Sequence, residues 1–221
     1  MLHAVGTLLP YAVPVALSPL PIIAAVMLLL SPSGIRSGLG FLAGRWIALV
    51  VLALVVALLS SRLTDGDSSG DSAGWLRIGL GLAVLAGAGL MWSKRPRGDE
   101  PPPLPGWMRS LESMSPARAV SMGMLLTAAN VKELAFVIGA GVLIGTEALS
   151  PSEAAWVAAL FGAIACVSIA APLVMLIAAP TRSRAVLGSV RDWLVRNNSI
   201  VIAIVLAAIG IMLIGDGLQA L

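Results

Sequence analysis

The sequence predicts an all-α integral membrane protein with six transmembrane helices, arranged as an inverted 3+3 repeat whose first and fourth helices are discontinuous. Composition is the first observation behind this prediction. Of 221 residues, 58% are hydrophobic and only 11% are charged, whereas soluble domains carry about 25% charged residues. The second observation is that several apolar runs reach about 18 residues or more, enough to span a hydrocarbon core of about 30 Å. The third is a break in the middle of two of those runs.

Six candidate spans follow one another along the chain. Runs such as "IALVVLALVVALL" show no alternation with a period of two, so they predict helices rather than barrel strands. A polar acidic stretch at 61–74 and short turns at 31–37 and 146–152 separate some of the spans. The segment 180–198 contains four arginines and is expected to include an interfacial helix around 189–196. The spans cover approximately 8–30, 38–60, 75–92, 118–146, 153–178 and 199–218.

The distribution of Lys and Arg predicts the orientation of these spans. Eleven of the fourteen basic residues fall on one side of the membrane, two fall on the other, and Lys132 belongs to neither. Because cytoplasmic loops carry the excess of positive charge, the side with eleven is expected to be cytoplasmic and both termini to lie outside. The eleven are Arg36, Arg45, Lys94, Arg95, Arg97, Arg109, Arg118, Arg182, Arg184, Arg191 and Arg196, and the two are Arg62 and Arg77.

A long polar segment divides this membrane domain into two halves. Residues 1–92 form the first three-helix repeat, residues 93–117 a cytoplasmic Pro-rich basic linker, and residues 118–221 the second repeat. An odd number of spans in each half gives the two halves opposite orientations. The halves also echo each other, since "WLR" at 75–77 and "WLVR" at 193–196 both precede a third span. Inverted repeats of this kind are a common construction of secondary transporters.

The first break reads "LSPLPII" at 17–23 and lies near the middle of the first span. Pro19 and Pro21 each remove a backbone donor and clash with the preceding turn, so the helix is expected to break or kink there. Ser18 precedes them as a polar residue at the same depth. A kink that serves packing alone is the alternative to a functional break, because prolines are tolerated in membrane helices where neighbours satisfy the freed groups.

The second break reads "AANVKEL" at 128–134 and places Asn130, Lys132 and Glu133 inside the fourth span. An ionisable residue at the bilayer centre costs about 2.5–3.5 kcal/mol on insertion scales, which favours a role at a site for Lys132. A structural Lys132–Glu133 pair is the alternative, although adjacent helical residues do not face each other. Glu133 could also pair with Lys132 across a distorted turn, take up a proton, or contact a cationic substrate group.

An inverted repeat places both breaks near the midplane, where the half-helices present free N–H groups and positive dipole ends. Together with the Lys132 ammonium and the Asn130 amide, these groups predict a site for an anion. Arg45 lies about two turns into the second span, where it either lines the cytoplasmic mouth or snorkels to the interface. Cys166 is expected to be a small packing residue.

Several classes of function are disfavoured. The chain has a pI of about 9.8, but its basic residues lie in short loops where topology explains them, so no nucleic-acid partner is expected. It contains one His and one Cys, which leaves no predicted metal cluster, no cofactor and no nucleophile–base pair. We therefore do not expect an enzyme.

The sequence resembles a known family, the GAP or Sap group, within the LysE exporter superfamily. These are the glycopeptidolipid-addressing and sulfolipid-addressing proteins of actinobacteria. The resemblance covers nearly the whole chain and is strongest over the first two spans. It implies a six-span protein of the bacterial inner membrane that exports cell-envelope glycolipids. The segments that carry it are "ALSPLPIIAAVMLLLSP" at 16–32, "GLGFLAGRW" at 38–46, "GWM" at 106–108 and "N-x-K" at 130–132.

At the second break this family usually reads Asn-Pro-Lys-Asn. Asn130 and Lys132 match that pattern, whereas Val131 replaces Pro and Glu133 replaces Asn. The departure predicts a less sharp break in the fourth span and a cargo that is not purely anionic.

The function expected from these observations is outward translocation of an anionic amphipathic envelope lipid, or its precursor, across the inner membrane. Membrane lipids are then its partners, and the Gly- and Ala-rich surface would allow a homodimer. Export of a small solute such as an amino acid or an ion is one alternative. A non-transporting scaffold for a lipid synthesis or export complex is another, with the Pro-rich linker as its docking site. The expected substrate-binding residues are Ser18, Pro19, Pro21, Arg45, Asn130, Lys132 and Glu133.

Overall fold

The computed structural model describes residues 2–63, 78–79, 82, 85–90, 92–93, 110–147 and 149–219. The described residues are helical with short connections and contain no strand. Eight of the 18 residues of the predicted third span and most of the linker lie outside them. The helices are α1 (Leu2–Ala16), α2 (Pro19–Leu30), α3 (Gly34–Leu63), α4 (Pro116–Ala128), α5 (Val131–Thr146), α6 (Pro151–Ala165), α7 (Val167–Ala178) and α8 (Pro180–Gln219), with a 3-10 turn at Ser110–Ser113 before α4.

Helix α3 is long and apolar enough to cross a membrane as a single element, over Gly34–Ser61. Three further elements pass the same test only when two helices are taken together. The two helices of each such element meet at a bend, which is 61° for α1 and α2, 77° for α4 and α5, and 62° for α6 and α7. The described residues therefore contain one membrane-crossing helix, and up to four crossing elements if each bent pair is one span.

Discontinuities occur at both places where the sequence predicts them. Between α1 and α2, the break falls at Ser18, immediately before Pro19. Between α4 and α5, the prediction of a softer break was wrong, since this bend of 77° is larger than the 61° bend at the proline-containing break. Asn130 has ψ 93°, which is outside the helical range, and Ala129 closes α4 by donating its N–H to the Leu125 carbonyl. An extended asparagine thus ends the helix without help from proline.

A third discontinuity, between α6 and α7, was not predicted. It falls at Cys166, whose backbone N–H is shared between the Gly162 and Ala163 carbonyls in a tightened last turn. Cys166 is buried, as expected of a packing residue, but it also marks a 62° bend.

The prediction of a separate interfacial helix near 189–196 was wrong. The whole arginine-bearing segment belongs to α8, which begins at Pro180 and continues to Gln219. Proline at the first position of a helix loses no intrahelical bond, and arginine is a good helix former, so neither residue ends the helix. Ser183 and Leu187 are one turn apart and both buried, which gives the start of α8 an inward face.

The crossing of α3 and α4 depends on glycine. A Cβ at Gly40 would lie 2.6 Å from the Pro116 carbonyl oxygen, and one at Gly44 would overlap the Val120 carbonyl. From the other side, a Cβ at Gly123 would overlap the Phe41 carbonyl. Small residues let membrane helices approach until their backbones touch. The contact brings the residue after Gly44, which is Arg45, next to α4.

The C-terminal half of α3 packs on α5 by the same means. A Cβ at Gly141 would lie 2.7 Å from the Ala53 carbonyl oxygen, and one at Gly145 would overlap the Ala57 carbonyl. Helix α3 therefore packs along both halves of the broken α4–α5 element and bridges its bend.

The chain divides into two compact units, which we describe separately. The first contains residues 1–65 and 104–192, and with them every residue of the predicted site. The second contains residues 66–103 and 193–221; among its described side chains, Ala88, Leu194 and Ala203 are buried.

We expect Gly44→Ala to lower the stability of the folded protein by about 1–3 kcal/mol, because the new methyl group forces α3 and α4 apart. The measurement is the thermal unfolding midpoint of the purified protein in detergent, followed by tryptophan fluorescence. Gly188→Ala is the matched control, since a Cβ at that helical glycine meets nothing within 4 Å; it should leave the midpoint unchanged or raise it. Equal midpoints for the two variants would contradict the close-contact interpretation.

Candidate functional site

The two predicted breaks meet in the folded protein. The Asn130 Nδ2 group donates a hydrogen bond to Ser18 Oγ at 3.3 Å. Ser18 is the N-cap residue of α2 and Asn130 that of α5, yet neither side chain caps its own helix. The starts of α2 and α5 therefore lie side by side, and the positive ends of their dipoles converge.

The backbone groups that the first break frees are satisfied by side chains from distant elements. Pro19 has no N–H to donate to the Val15 carbonyl, which instead accepts from Arg45 Nη2 at 3.1 Å and from the Ser18 N–H at 3.2 Å. The next carbonyl, that of Ala16, accepts a short hydrogen bond from the Ser168 hydroxyl. Protein groups thus replace the missing helical donors, as a break at membrane depth requires.

The two helix starts do not offer the same donors. In the first turn of α2, Pro19 and Pro21 lack an N–H group, so Leu20 contributes the one backbone donor of the first three residues. Val131, Lys132 and Glu133 all retain theirs at the start of α5. The free N–H groups expected at both breaks are therefore concentrated at α5.

A buried ion pair lies beside this junction. Arg45 Nη1 and Glu133 Oε2 are 2.7 Å apart, and the two side chains are 1% and 0% exposed. The same Nη1 donates to Thr127 Oγ1 at 3.3 Å, and the Thr127 hydroxyl donates to the Gly123 carbonyl at 2.9 Å.

Both predictions for Arg45 were wrong, because its side chain is buried inside the protein and neither lines a cytoplasmic mouth nor snorkels to the interface. The alternative of a structural Lys132–Glu133 pair was also wrong, since Glu133 pairs with Arg45 and Lys132 Nζ has no hydrogen-bond partner among the described residues.

Three buried polar atoms of this cluster have no hydrogen-bond partner among the described residues. They are Lys132 Nζ, Arg45 Nε and Glu133 Oε1. Because Arg45 and Glu133 neutralise each other formally, Lys132 leaves the cluster with a net positive charge. An unpaired buried polar group carries a desolvation penalty of about 1–3 kcal/mol, and more when it is charged. A negatively charged group in contact with Lys132 would remove that penalty.

Five of the seven predicted site residues, namely Ser18, Arg45, Asn130, Lys132 and Glu133, form this one cluster. Pro19 and Pro21 are buried and act through the backbone, by making the break. Sequence reasoning missed Thr127 and Ser168, although Thr127 comes directly before the "AANVKEL" segment. Among the described residues, no group of three or more His, Cys, Asp or Glu side chains is placed to hold a metal ion.

A family model described as Sap, sulfolipid-1-addressing protein, matches residues 8–219. The chain belongs to this family. The match covers nearly the whole of this chain, and it includes both breaks and all the residues of the cluster. No curated protein and no solved structure matches it. Family membership and the apolar helix α3 together identify a membrane protein with a lipid-related role.

Glu133 lies where the resemblance described above implies an asparagine. Its carboxylate is the group that pairs with Arg45, so the departure adds the partner that a buried guanidinium requires. An asparagine at that position could accept a hydrogen bond but could not neutralise the charge.

We expect Arg45→Met to destabilise the protein by about 3–5 kcal/mol, and Glu133→Leu to do the same, because either change leaves the other charge buried and unpaired. The double variant should lose much less than the sum of the two. Thermal unfolding midpoints in detergent measure all three. Arg191→Met is the control, since its pair with Asp192 is solvent-exposed and exposed pairs contribute at most about 1 kcal/mol. Additive losses in the double variant would show that the pair is not coupled.

Proposed function

We propose that this protein is an inner-membrane transporter of the LysE superfamily that translocates an anionic amphipathic envelope lipid, or its precursor, outward. The observation that carries the proposal is the buried Lys132 ammonium, unpartnered among the described residues at the junction of two helix starts. The family description, sulfolipid-1-addressing protein, supports a lipid with an anionic group as cargo.

Electrostatics in this cluster favour an anionic group. Lys132 contributes a full positive charge, and the starts of α2 and α5 contribute the positive ends of their dipoles. Asn130 has two amide N–H groups, of which one is used by Ser18, so the other can donate to the same anion. In a site that excludes water, such interactions are much stronger than in bulk solvent. A sulfate, phosphate or carboxylate on the cargo would each suit these donors.

The arrangement that we propose for the whole chain is six spans in an inverted 3+3 repeat, with both termini outside. Each half begins with a broken helix, and Arg45 of the first half holds Glu133 of the second. Movement of one half against the other would stretch this contact first. Alternating access by such rocking is the mechanism of many inverted-repeat transporters.

The described conformation encloses most of the cluster. Ser18, Arg45, Thr127 and Glu133 are each at most 1% exposed, and the Lys132 Nζ atom is buried, whereas the rest of Lys132 and Asn130 are partly exposed. A cargo group that contacts Nζ therefore requires a local movement at the start of α5. We therefore propose that this is a closed state of the transport cycle. The Asn130–Ser18 and Arg45–Glu133 contacts would hold it together.

Export of a small solute is a second candidate, and a specific observation favours it. Lys132 Nζ and Glu133 Oε1 are both buried and both without a partner among the described residues. A free cation and a free carboxylate oxygen are the complement of a zwitterion, so an amino acid would suit the cluster as well as a lipid anion does.

Reconstituted liposomes test the proposal. We expect wild-type protein to move fluorescent phosphatidylglycerol between leaflets, measured as the fraction of label that dithionite quenches from outside. Lys132→Met should slow this movement about tenfold or more, because a hydrogen bond to a charged group contributes about 1.5–3 kcal/mol. Lys132→Arg retains the charge and should retain much of the rate, and Arg191→Met is the control for loss of an exposed charge.

Absence of lipid movement in wild-type liposomes would overturn the lipid proposal. Counterflow of labelled amino acids in the same liposomes would then support the second candidate. Inactivity in both assays would favour the scaffold alternative, in which replacing Lys132 and Glu133 together with apolar residues leaves the cellular function intact.

A further inference from the structure

A cavity of about 540 Å³ opens where α2 ends and α3, α7 and α8 approach one another. One wall is the turn from α2 into α3, and the other is formed by the end of α7 and the start of α8. None of the residues of the buried cluster contributes to it. Its lining residues are Pro32, Ser33, Gly34, Ile35 and Arg36 on the first wall, with Leu176, Pro180 and Arg184 on the second.

The floor of this cavity is apolar and fixed. Leu176 is buried and belongs to a core cluster with Leu29, Leu173 and Leu187. Ile35 is 39% exposed and stands at the opening. An apolar floor with a partly exposed rim suits a ligand that has both a hydrocarbon part and a polar part.

The charge at the rim is positive. Arg36 and Arg184 both line the cavity, and none of the described side chains that line it is acidic. Arg184 Nη1 reaches the Leu30 carbonyl at 3.5 Å, which holds the side chain against the end of α2 and leaves its other N–H groups available. Arg36 has no polar side-chain partner among the described residues. Two guanidinium groups at one opening are suited to bind a phosphate, which accepts paired hydrogen bonds from each fork.

The wall that carries Arg36 is held in place by hydroxyl groups. Ser33 Oγ and Ser37 Oγ are 2.9 Å apart, and both donate to the Met114 carbonyl, at 3.3 Å and 3.0 Å. Met114 follows the 3-10 turn, whose Leu111 is fully buried. A wall that is fixed before the ligand arrives lowers the entropy cost of binding.

We propose that this cavity binds a phosphate group, and that a lipid headgroup without a cation of its own presents it, because a headgroup ammonium would be repelled by Arg36 and Arg184. The two arginines would bind the phosphate, while Leu176, Ile35 and Pro32 would contact the glycerol and the first methylene groups. Free phosphate shares the charged part of this chemistry but not the apolar part. The site is separate from Lys132 and does not depend on the proposed transport function.

Native mass spectrometry of the full-length protein in detergent tests this proposal. The probes are dihexanoylphosphatidylglycerol, dihexanoylphosphatidylcholine and inorganic phosphate. We expect phosphatidylglycerol to bind more tightly than either of the others. Each of Arg36→Gln and Arg184→Gln should weaken it about tenfold, since each removes charge-assisted hydrogen bonds. Arg191→Gln, on α8 but outside the cavity, should change it less than about twofold, as expected of an exposed charge.

A second variant keeps the test decisive if the arginine variants fail to fold. Ile35→Glu places a carboxylate at the opening without altering either arginine, and it should weaken phosphatidylglycerol binding by a similar factor. If phosphate alone binds as tightly as the lipid, and the arginine variants weaken both, the cavity is a site for free phosphate. Unchanged phosphatidylglycerol binding in the folded variants overturns the proposal, as does equal binding of phosphatidylcholine.

Lys132→Met protein should retain this binding fully. Loss of transport in that variant with intact phosphatidylglycerol binding separates the two sites. Conversely, loss of binding in Arg36→Gln with intact movement of lipid would leave the transport proposal unaffected.

Discussion

Burying a guanidinium inside a membrane protein is the constraint on which the rest of this structure depends. Arg45 contacts the Val15 carbonyl at the end of α1, the Thr127 hydroxyl on α4 and the Glu133 carboxylate on α5. One side chain thus satisfies a backbone group that Pro19 leaves without its helical donor and also neutralises a buried charge. A buried pair of this kind adds little net stability compared with apolar packing, but its partners must stay in place. It therefore determines position more than it determines stability.

The glycine-mediated packing of α3 follows from that constraint. Arg45 reaches Thr127 and Glu133 only because Gly44 lets α3 touch the backbone of α4. Helix α3 is also the described element that crosses as a single helix. This unbroken helix lies against the broken elements, and its arginine donates to the Val15 carbonyl that the first break frees. The rigid and the broken elements have complementary roles in this fold.

Parts of the fold that rest on local chemistry could be predicted from the sequence. Pro19 and Pro21 each remove a backbone donor in the middle of an apolar run, which favours a break after Ser18, and an amide followed by two charges indicates the second break. The third break could not be predicted, because the residues around Cys166 are apolar and the nearby Ser168 hydroxyl bonds to a carbonyl 152 positions away. The arginines of α8 suggested a loop, although arginine itself favours helices.

The same distinction applies to the site. Lys132, Glu133 and Asn130 stood out because each is polar in an apolar run. The role of Arg45 did not follow from its sequence position, since its carboxylate partner lies 88 residues further along the chain. A local interpretation could assign Arg45 only to a cytoplasmic mouth or to an interface. Pairing between distant charges is a property of the tertiary structure, and periodicity and composition do not contain it.

The separation of these partners along the chain also has a consequence for biosynthesis. Arg45 can reach the Val15 carbonyl as soon as α3 has been made, because only 30 residues separate them. Its carboxylate and the amide that binds Ser18 are synthesised much later, with α5. During that interval the first half holds an uncompensated positive charge and an open helix start. Insertion of α5 supplies both missing partners together, so the two contacts form in one late step of assembly.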